Sequence, residues 1–422
     1  RKLEVPLSLY VHIPFCRKKC DYCDFFSIDS ADSELKEKTI EKTLEDTEEF
    51  LSILSPPLVE TVYIGGGTPN SLPNTLFSKL LRRIRRLFEQ FGTPLEWTLE
   101  ANPEFLSIEQ LELMENAGVS RISLGVQSFE NEKLALIGRR SSAEDAERAL
   151  SLLSKKWRGD WSADLITLLP KDGSSDAYGL SSSESDIDKI LSYSPDHLSL
   201  YGLTVEPETP LYNEVKRGAV LLPEEGAGAD YLRRLWNILK NAGFFHYEVS
   251  NFSRTREKES LHNFRYWRMS PYLGVGPSAV STLPGQRGPM RLLFSKDLEQ
   301  FNYDSDYRID AEQISPYSFL LEHLLTGLRT REGVSFARMA RIFGAKNARR
   351  MFRKLEPKLK LYESNGFIDR PGDNTRDRRL MGGNSKYRDF RATDSGLMIL
   401  DSLILDLSVE LDKISPDRSR WP

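Results

Sequence analysis

Residues 7–23 read Leu-Ser-Leu-Tyr-Val-His-Ile-Pro-Phe-Cys-Arg-Lys-Lys-Cys-Asp-Tyr-Cys. Residues 7–14 alternate and are rich in β-formers, which predicts a strand. Cysteines crowd the loop behind its C-terminal end. The chain has three cysteines in 422 residues, and Cys16, Cys20 and Cys23 are all of them. A disulfide scaffold wants an even number spread along a secreted chain. An all-cysteine structural zinc site wants four ligands. A Cys3His zinc site using His12 stays open, as do three unrelated buried thiols. Three thiolates this close also suit an iron–sulfur cluster with one iron left free for a small chelating molecule.

Outward from this stretch, strand and helix alternate. A charged amphipathic helix is predicted over 34–54. A short apolar strand over 61–67 ends in Gly65-Gly66-Gly67, and a helix over 74–91 has one apolar face. Further strands are read at 97–101, 121–127, 163–169 and 197–204, with helices over 107–117 and 143–156 between them. Gly118 is a C-cap for the first of these helices. Six strand–helix alternations mean a parallel sheet with right-handed crossovers. The expected fold is α/β, an incomplete (β/α)6 TIM-like barrel. In barrels, chemistry gathers at the C-terminal ends of the strands. There the cysteine loop, Gly65 to Thr68, Glu100, Gln127 and Asp164 come together.

At 39% hydrophobic and 28% charged residues, the composition suits a soluble globular chain. The length implies two domains. The net charge of −4 gives no global pull toward nucleic acid. No run of eighteen apolar residues marks a membrane span. The start, Arg1 to Pro6, is too short and polar for a signal peptide. With free thiols and no export signal, a cytoplasmic location is expected.

The cysteine spacing, Gly-Gly-Gly-Thr-Pro (65–69), Glu-Ala-Asn-Pro (100–103) and Gly-Val-Gln-Ser-Phe (125–129) together resemble the radical S-adenosylmethionine (SAM) enzymes. Within them the chain looks like the branch of oxygen-independent coproporphyrinogen III oxidases and HemW-type haem chaperones. The resemblance implies a 4Fe-4S cluster on Cys16, Cys20 and Cys23, with SAM on its open iron. It further implies SAM contacts from Tyr10, Tyr22, Gly66, Gly67, Thr68, Glu100, Gln127, Arg139 and Asp164. Chemically these supply backbone room at the glycines, two acids, an amide and a cation. Taken singly, Glu100 or Asp164 is as well read as a salt-bridge partner, and three glycines as a turn.

Two features point to the chaperone side of that branch. The oxidases resembled carry a further Cys two places after the third, where this chain has Phe25. His262-Asn263-Phe264-Arg265-Tyr266-Trp267 is similar to the chaperones' H-N-x-x-Y-W motif. His262, Asn263, Tyr266 and Trp267 are therefore haem-binding candidates, His262 as an axial ligand and the aromatics as stacking surfaces. The competing reading is a segment that packs aromatics under the barrel.

Residues 1–300 are read as the radical SAM barrel and 301–422 as a mainly helical, winged-helix-like domain. In the tail, helices are expected at 317–328, 336–343, 356–365 and 397–407, with short strands at 367–369 and 387–391. Residues 331–391 carry 17 Lys/Arg against 7 Asp/Glu. A solvated basic face is the preferred reading, with nucleic-acid binding as the lesser one. Residues 171–186 are Ser-rich and read as a flexible loop. The function read is a haem chaperone carrying cluster, SAM and haem cargo for an acceptor protein. The alternative is a coproporphyrinogen III oxidase acting by radical oxidative decarboxylation, which would need an electron donor to cleave SAM.

Overall fold

The computed structural model describes residues 2–169, 180–222, 225–285, 288–303, 308–371 and 388–413. Six parallel strands form its centre: β1 (Leu7–Ile13), β2 (Val59–Gly66), β3 (Glu96–Ala101), β4 (Arg121–Gln127), β5 (Asp160–Thr167) and β6 (His197–Gly202). They lie side by side in chain order. Helices such as Ser33–Leu54 and Asn74–Phe91 make the crossovers. Six further strands complete one sheet: β7 (Phe245–His246), β8 (Asn251–Ser253), β9 (Tyr272–Val275), β10 (Val280–Gly285), β11 (Gly288–Phe294) and β12 (Ile309–Gln313). Its order is β12-β11-β10-β9-β1-β2-β3-β4-β5-β6-β8-β7, so the barrel is open. β9 lies parallel to β1 on the side away from β2.

Alternation along the strands builds the two faces. Leu7, Leu9, Val11 and Ile13 of β1 are fully buried and join one core cluster with the helices. On β3, Trp97 meets Phe88 of helix Asn74–Phe91 edge-on at 5.0 Å. That helix buries Leu80, Leu81, Ile84 and Phe88 and turns its arginines outward. The concave face is polar instead. The register aligns Tyr10 with Tyr63, Glu100 with Ser123, Gly125 with Asp164 and Asp164 with Ser199. Such barrels are ordinarily filled with branched aliphatics. Here the lining is hydroxyl, carboxylate and phenol.

Several elements differ from the sequence reading. The Ser-rich stretch is a helix, Leu180–Leu191, from its tenth residue onward, and 171–179 lie outside the described residues. Buried Asp186 holds it, accepting from Ser128 Oγ at 2.8 Å and the Phe129 amide at 3.0 Å. The expected helix at 356–365 is the end of a longer one, Ala345–Ser364, with Pro357 inside it. Residues 245–253 form two short antiparallel strands, β7 and β8. Between them, Val249 N donates to Arg329 O at 2.8 Å and Arg331 N to Tyr247 O at 2.9 Å. The closing helix is two segments, Asp394–Met398 and Leu400–Asp412. The second short tail strand is Arg391–Ala392, paired with Ile368–Asp369; residue 387 lies outside the described residues. The large sheet continues past residue 300 to Gln313.

Candidate functional site

The cysteine loop leaves β1 at the barrel mouth and is pinned on three sides. Cys16 N donates to Ile28 O at 2.9 Å, Asp21 N to Ile137 O at 2.9 Å, and Leu211 N to Asp21 O at 2.9 Å. All three thiols are free and partly exposed. Burial pushes the Cys16 thiol up and the Cys23 thiol up to about 11. Two sulfurs already have donors: Thr68 Oγ1 stands 3.6 Å from Cys16 Sγ, and Arg139 Nη1 3.8 Å from Cys20 Sγ. Tyr22 packs beside Ile137, Ile166 and Leu169. Phe25, at the far end of the loop, is 67% exposed.

His12 does not complete a zinc site. Its Nε2 lies 2.9 Å from Phe26 O, a group that only accepts, so this nitrogen carries the proton. Its Nδ1 then accepts from Tyr10 Oη at 2.8 Å. Both ring nitrogens are used. Among the described residues, no three His, Cys, Asp or Glu side chains converge on a single ion. One zinc would draw its sulfurs to roughly 4 Å from one another, given Zn–S bonds of about 2.3 Å. Thiolates that each take a different iron of a cluster sit wider apart. The donor set fits the cluster.

The glycine turn follows β2. The space beside Gly65 and Gly66 is filled by protein. A Cβ on Gly65 would meet the Glu100 carboxyl at 2.6 Å, and one on Gly66 (φ +110°) would meet the His12 ring at 2.5 Å. The turn thus admits Glu100, which accepts from Gly66 N at 3.0 Å and Tyr63 Oη at 2.8 Å. Burial pushes Glu100 up to about 7, and nearby Asp164 adds to the shift. Burial raises Asp164 too. Its Oδ2 accepts from Ser123 at 2.9 Å, while its Oδ1 is buried without a hydrogen-bond partner. Thr98 Oγ1, on the same concave face, is likewise unpartnered. Gln127 ends β4 with φ +71°, beyond the register shift that starts at Gly125.

Arg139 is largely committed to protein. Nη2 donates to Asn102 Oδ1 at 2.7 Å and Gly125 O at 2.6 Å, and Nε to Ser141 Oγ at 3.0 Å. With Nη1 turned to Cys20, one of its five N–H groups is left for a ligand. The structure therefore gathers the three cysteines, Tyr10, Tyr22, Gly66, Gly67, Thr68, Glu100, Gln127, Arg139 and Asp164 at the mouth and concave wall. Sequence reasoning missed Tyr63, although its register opposite Tyr10 on a period-two strand marks it. It also passed over Asn102, which sits inside the quoted Glu-Ala-Asn-Pro.

The haem candidates are elsewhere. His262 to Trp267 lie in helix Leu261–Trp267, against the starting ends of the strands. The Leu261 and His262 amides donate to Glu96 at 3.0 and 2.9 Å, and Arg265 reaches Ser8. His262 is fully buried. Its Nδ1 lies 2.8 Å from Thr61 Oγ1 and its Nε2 2.9 Å from Tyr266 Oη. Neither nitrogen is free for a metal, so the expectation of an axial ligand here fails on geometry. The helix closes the barrel floor with aromatics, while Asn263, Tyr266 and Trp267 stay partly exposed.

An open parallel barrel whose first strand delivers a three-cysteine loop to its mouth defines a class, and residues 10–180 match the model of that class, the radical SAM superfamily. The chain is 34% identical over 347 residues to the heme chaperone HemW of Synechocystis sp., covering 79% of this chain and 81% of that one. It is 33% identical over 344 residues to HemW of Bacillus subtilis, covering 80% and 87%. It is also 32% identical over 425 residues to the mouse radical S-adenosyl methionine domain-containing protein 1, mitochondrial, covering 98% and 90%. Among solved structures, the fold is similar to Escherichia coli coproporphyrinogen III oxidase (HemN), with TM-score 0.73, 19% identity, and 96% and 90% of the two chains covered. The chain belongs to the HemW-like family of radical SAM proteins. That family carries a 4Fe-4S cluster and SAM. Among the described residues no helix is long and apolar enough to cross a membrane.

Proposed function

We propose that this chain is a haem chaperone of the radical SAM type, which binds a 4Fe-4S cluster, SAM and haem and passes haem to an acceptor protein. One observation carries the reading: every cysteine of the chain stands in one loop at the barrel mouth, two sulfurs there have hydrogen-bond donors, and the position two past Cys23 is the exposed Phe25. The haem part draws on relatives named heme chaperone that match along most of their length. A reducing compartment such as the cytoplasm suits three free thiols.

In this reading Cys16, Cys20 and Cys23 hold three irons. A cluster with SAM bound supplies one-electron chemistry. The chain's own part is positional. Glu100 and Asp164 offer carboxyl oxygens to an ammonium or to hydroxyls, Asp164 through its unpartnered Oδ1. Arg139 offers its remaining N–H to a carboxylate, and Gln127 its amide. Gly66, Gly67 and Thr68 carry the turn against which the ligand rests. Tyr10 and Tyr22 wall the site and stay protonated, since burial raises both phenols. For haem, Asn263, Tyr266 and Trp267 are the partly exposed candidates on the floor helix, with His262 left out.

The test is anaerobic incubation of the cluster-loaded protein with coproporphyrinogen III, SAM and a reductant, read by mass spectrometry, beside a haem titration. A haem Soret band with no porphyrin product is expected. Successive losses of carbon dioxide and two hydrogens would make the chain an oxidase instead.

A further inference from the structure

Asn102 lies between Thr68 and Arg139, two of the donors that touch the thiols. Arg139 Nη2 is 2.7 Å from its Oδ1, and its Nδ2 is 3.0 Å from Thr68 Oγ1. A guanidinium only donates, so the amide atom facing Arg139 is the oxygen, and the atom facing Thr68 is the nitrogen. The Thr68 oxygen therefore accepts from Asn102. Its single hydroxyl proton is left for Cys16 Sγ, 3.6 Å away. Arg139 meanwhile reaches Cys20 directly. One cation thus sets the direction of every hydrogen bond from Cys20 to Cys16.

The amide is held in place from behind. Asn102 N donates to Asn70 Oδ1 at 2.9 Å, and Asn70 Nδ2 returns a bond to Asn102 O at 3.1 Å. Gln110 Nε2 donates to Asn70 O at 2.8 Å and its Oε1 accepts from Asn70 Nδ2 at 3.3 Å. Asn70 and Gln110 are buried. Side chains this far from solvent, each tied at both ends, fix an orientation rather than merely fill space.

We propose that Asn102 is a positioning residue that directs the Thr68 hydroxyl onto Cys16 and so sets the reduction potential of the bound cluster. Hydrogen bonds to cysteine sulfur stabilise the more negative reduced state and raise the potential. The inference rests on the cluster assignment above. Asn102→Asp keeps the shape and the Arg139 contact but presents a second acceptor to Thr68, which turns the hydroxyl proton away from Cys16.

The experiment is an EPR-monitored redox titration of the reconstituted protein, with iron counted first. A wild-type chain without a full cluster would sink the assignment of the cluster, not this inference. With iron in place, Asn102→Asp shifts the midpoint negative, Thr68→Val shifts it negative, and Thr68→Ser, which keeps the hydroxyl, leaves it where it was. In a Thr68→Val background the Asn102→Asp shift shrinks, because no hydroxyl remains to redirect. Equal Asn102→Asp shifts in both backgrounds, or none, overturn the proposal. Should Asn102→Asp take up no iron, the two Thr68 variants decide: Val without a shift, or Ser with the shift of Val, overturns it.

Discussion

Glu100 is an acid enclosed by Tyr63, the Gly66 amide and the Gly65 backbone. It and Glu248 each hold a proton up to about pH 7 because burial disfavours the charge. An unfolded carboxyl loses its proton near about 4.3. Between those values the folded chain binds more protons than the unfolded one, so stability is greatest below the window and falls as pH rises through it. The share of the urea midpoint owed to these two acids should therefore drop between pH 5 and pH 7.5, against the opposite trend of five buried histidines whose pKa burial lowers. Glu248→Gln, removing one such group, should flatten that drop and add on the order of 1–3 kcal/mol at pH 8. Calorimetric SAM affinity should weaken below pH 7 as Glu100 protonates, and weaken at all pH values in Asp164→Ala. His262→Ala should cost about 2–4 kcal/mol, by opening a cavity and removing the partner of the Tyr266 hydroxyl while Thr61 keeps Ser8, yet leave the haem Soret band unchanged; a moved band would restore the axial-ligand reading. At this scale the cysteines and acids were legible because their residue types are chemically loud. The engagement of both nitrogens of His12 and His262 was not, since one partner of each, Phe26 and Thr61, is brought close only by the fold.

Among the elements, helix Asn74–Phe91 was readable to the residue because its apolar positions recur cleanly and Gly92 ends it. Helix Ala345–Ser364 was not. Pro357 looks like a starting signal, and five of the eleven residues before Glu356 are basic, so their buried Ala348, Met351, Phe352 and Leu355 stood out poorly. Proline inside a helix removes one backbone bond and crowds the preceding turn. Pro357→Ala should therefore raise the thermal midpoint, though by less than the roughly 3 kcal/mol of an exposed model helix, because the freer unfolded chain offsets part of the gain. A lowered midpoint would mean that the helix has adapted its packing to the kink. Helix Leu180–Leu191 escaped notice for a different reason: serine composition says loop, while the tertiary contact of Asp186 with Ser128 and Phe129 says helix.

On the scale of the whole molecule, the six parallel strands were legible from alternation alone, because each crossover keeps its partners close in sequence. β10 to β12 were not, since antiparallel additions to an edge leave no such rhythm. Nor did the sequence announce how the tail attaches. Tyr247 and Val249 exchange backbone bonds with Arg331 and Arg329. The Arg331 guanidinium meanwhile donates to His246 O, to Ala392 O and to Asp394. One side chain thus bridges the edge of the sheet and the winged-helix-like unit. Arg331→Ala should split a single calorimetric unfolding peak into two, with a loss of about 2–5 kcal/mol in the tail. A single peak at the original temperature would show that the backbone pairing alone holds the units together.

The placing of β1 between β2 and β9 has a consequence for how the protein is made. The strand that leads into the cysteine loop, Leu7–Ile13, leaves the ribosome well before its second neighbour, Tyr272–Val275. At roughly 5–20 residues per second, about 15–50 s of translation separate them. Through that interval the barrel lacks the strand that flanks β1, and the thiols wait on a half-built wall. Oxygen, stray metals and premature cluster delivery all compete for them during that time. On the cluster reading proposed above, pulse-labelled chains arrested on ribosomes before residue 272 should carry oxidisable thiols but no cluster.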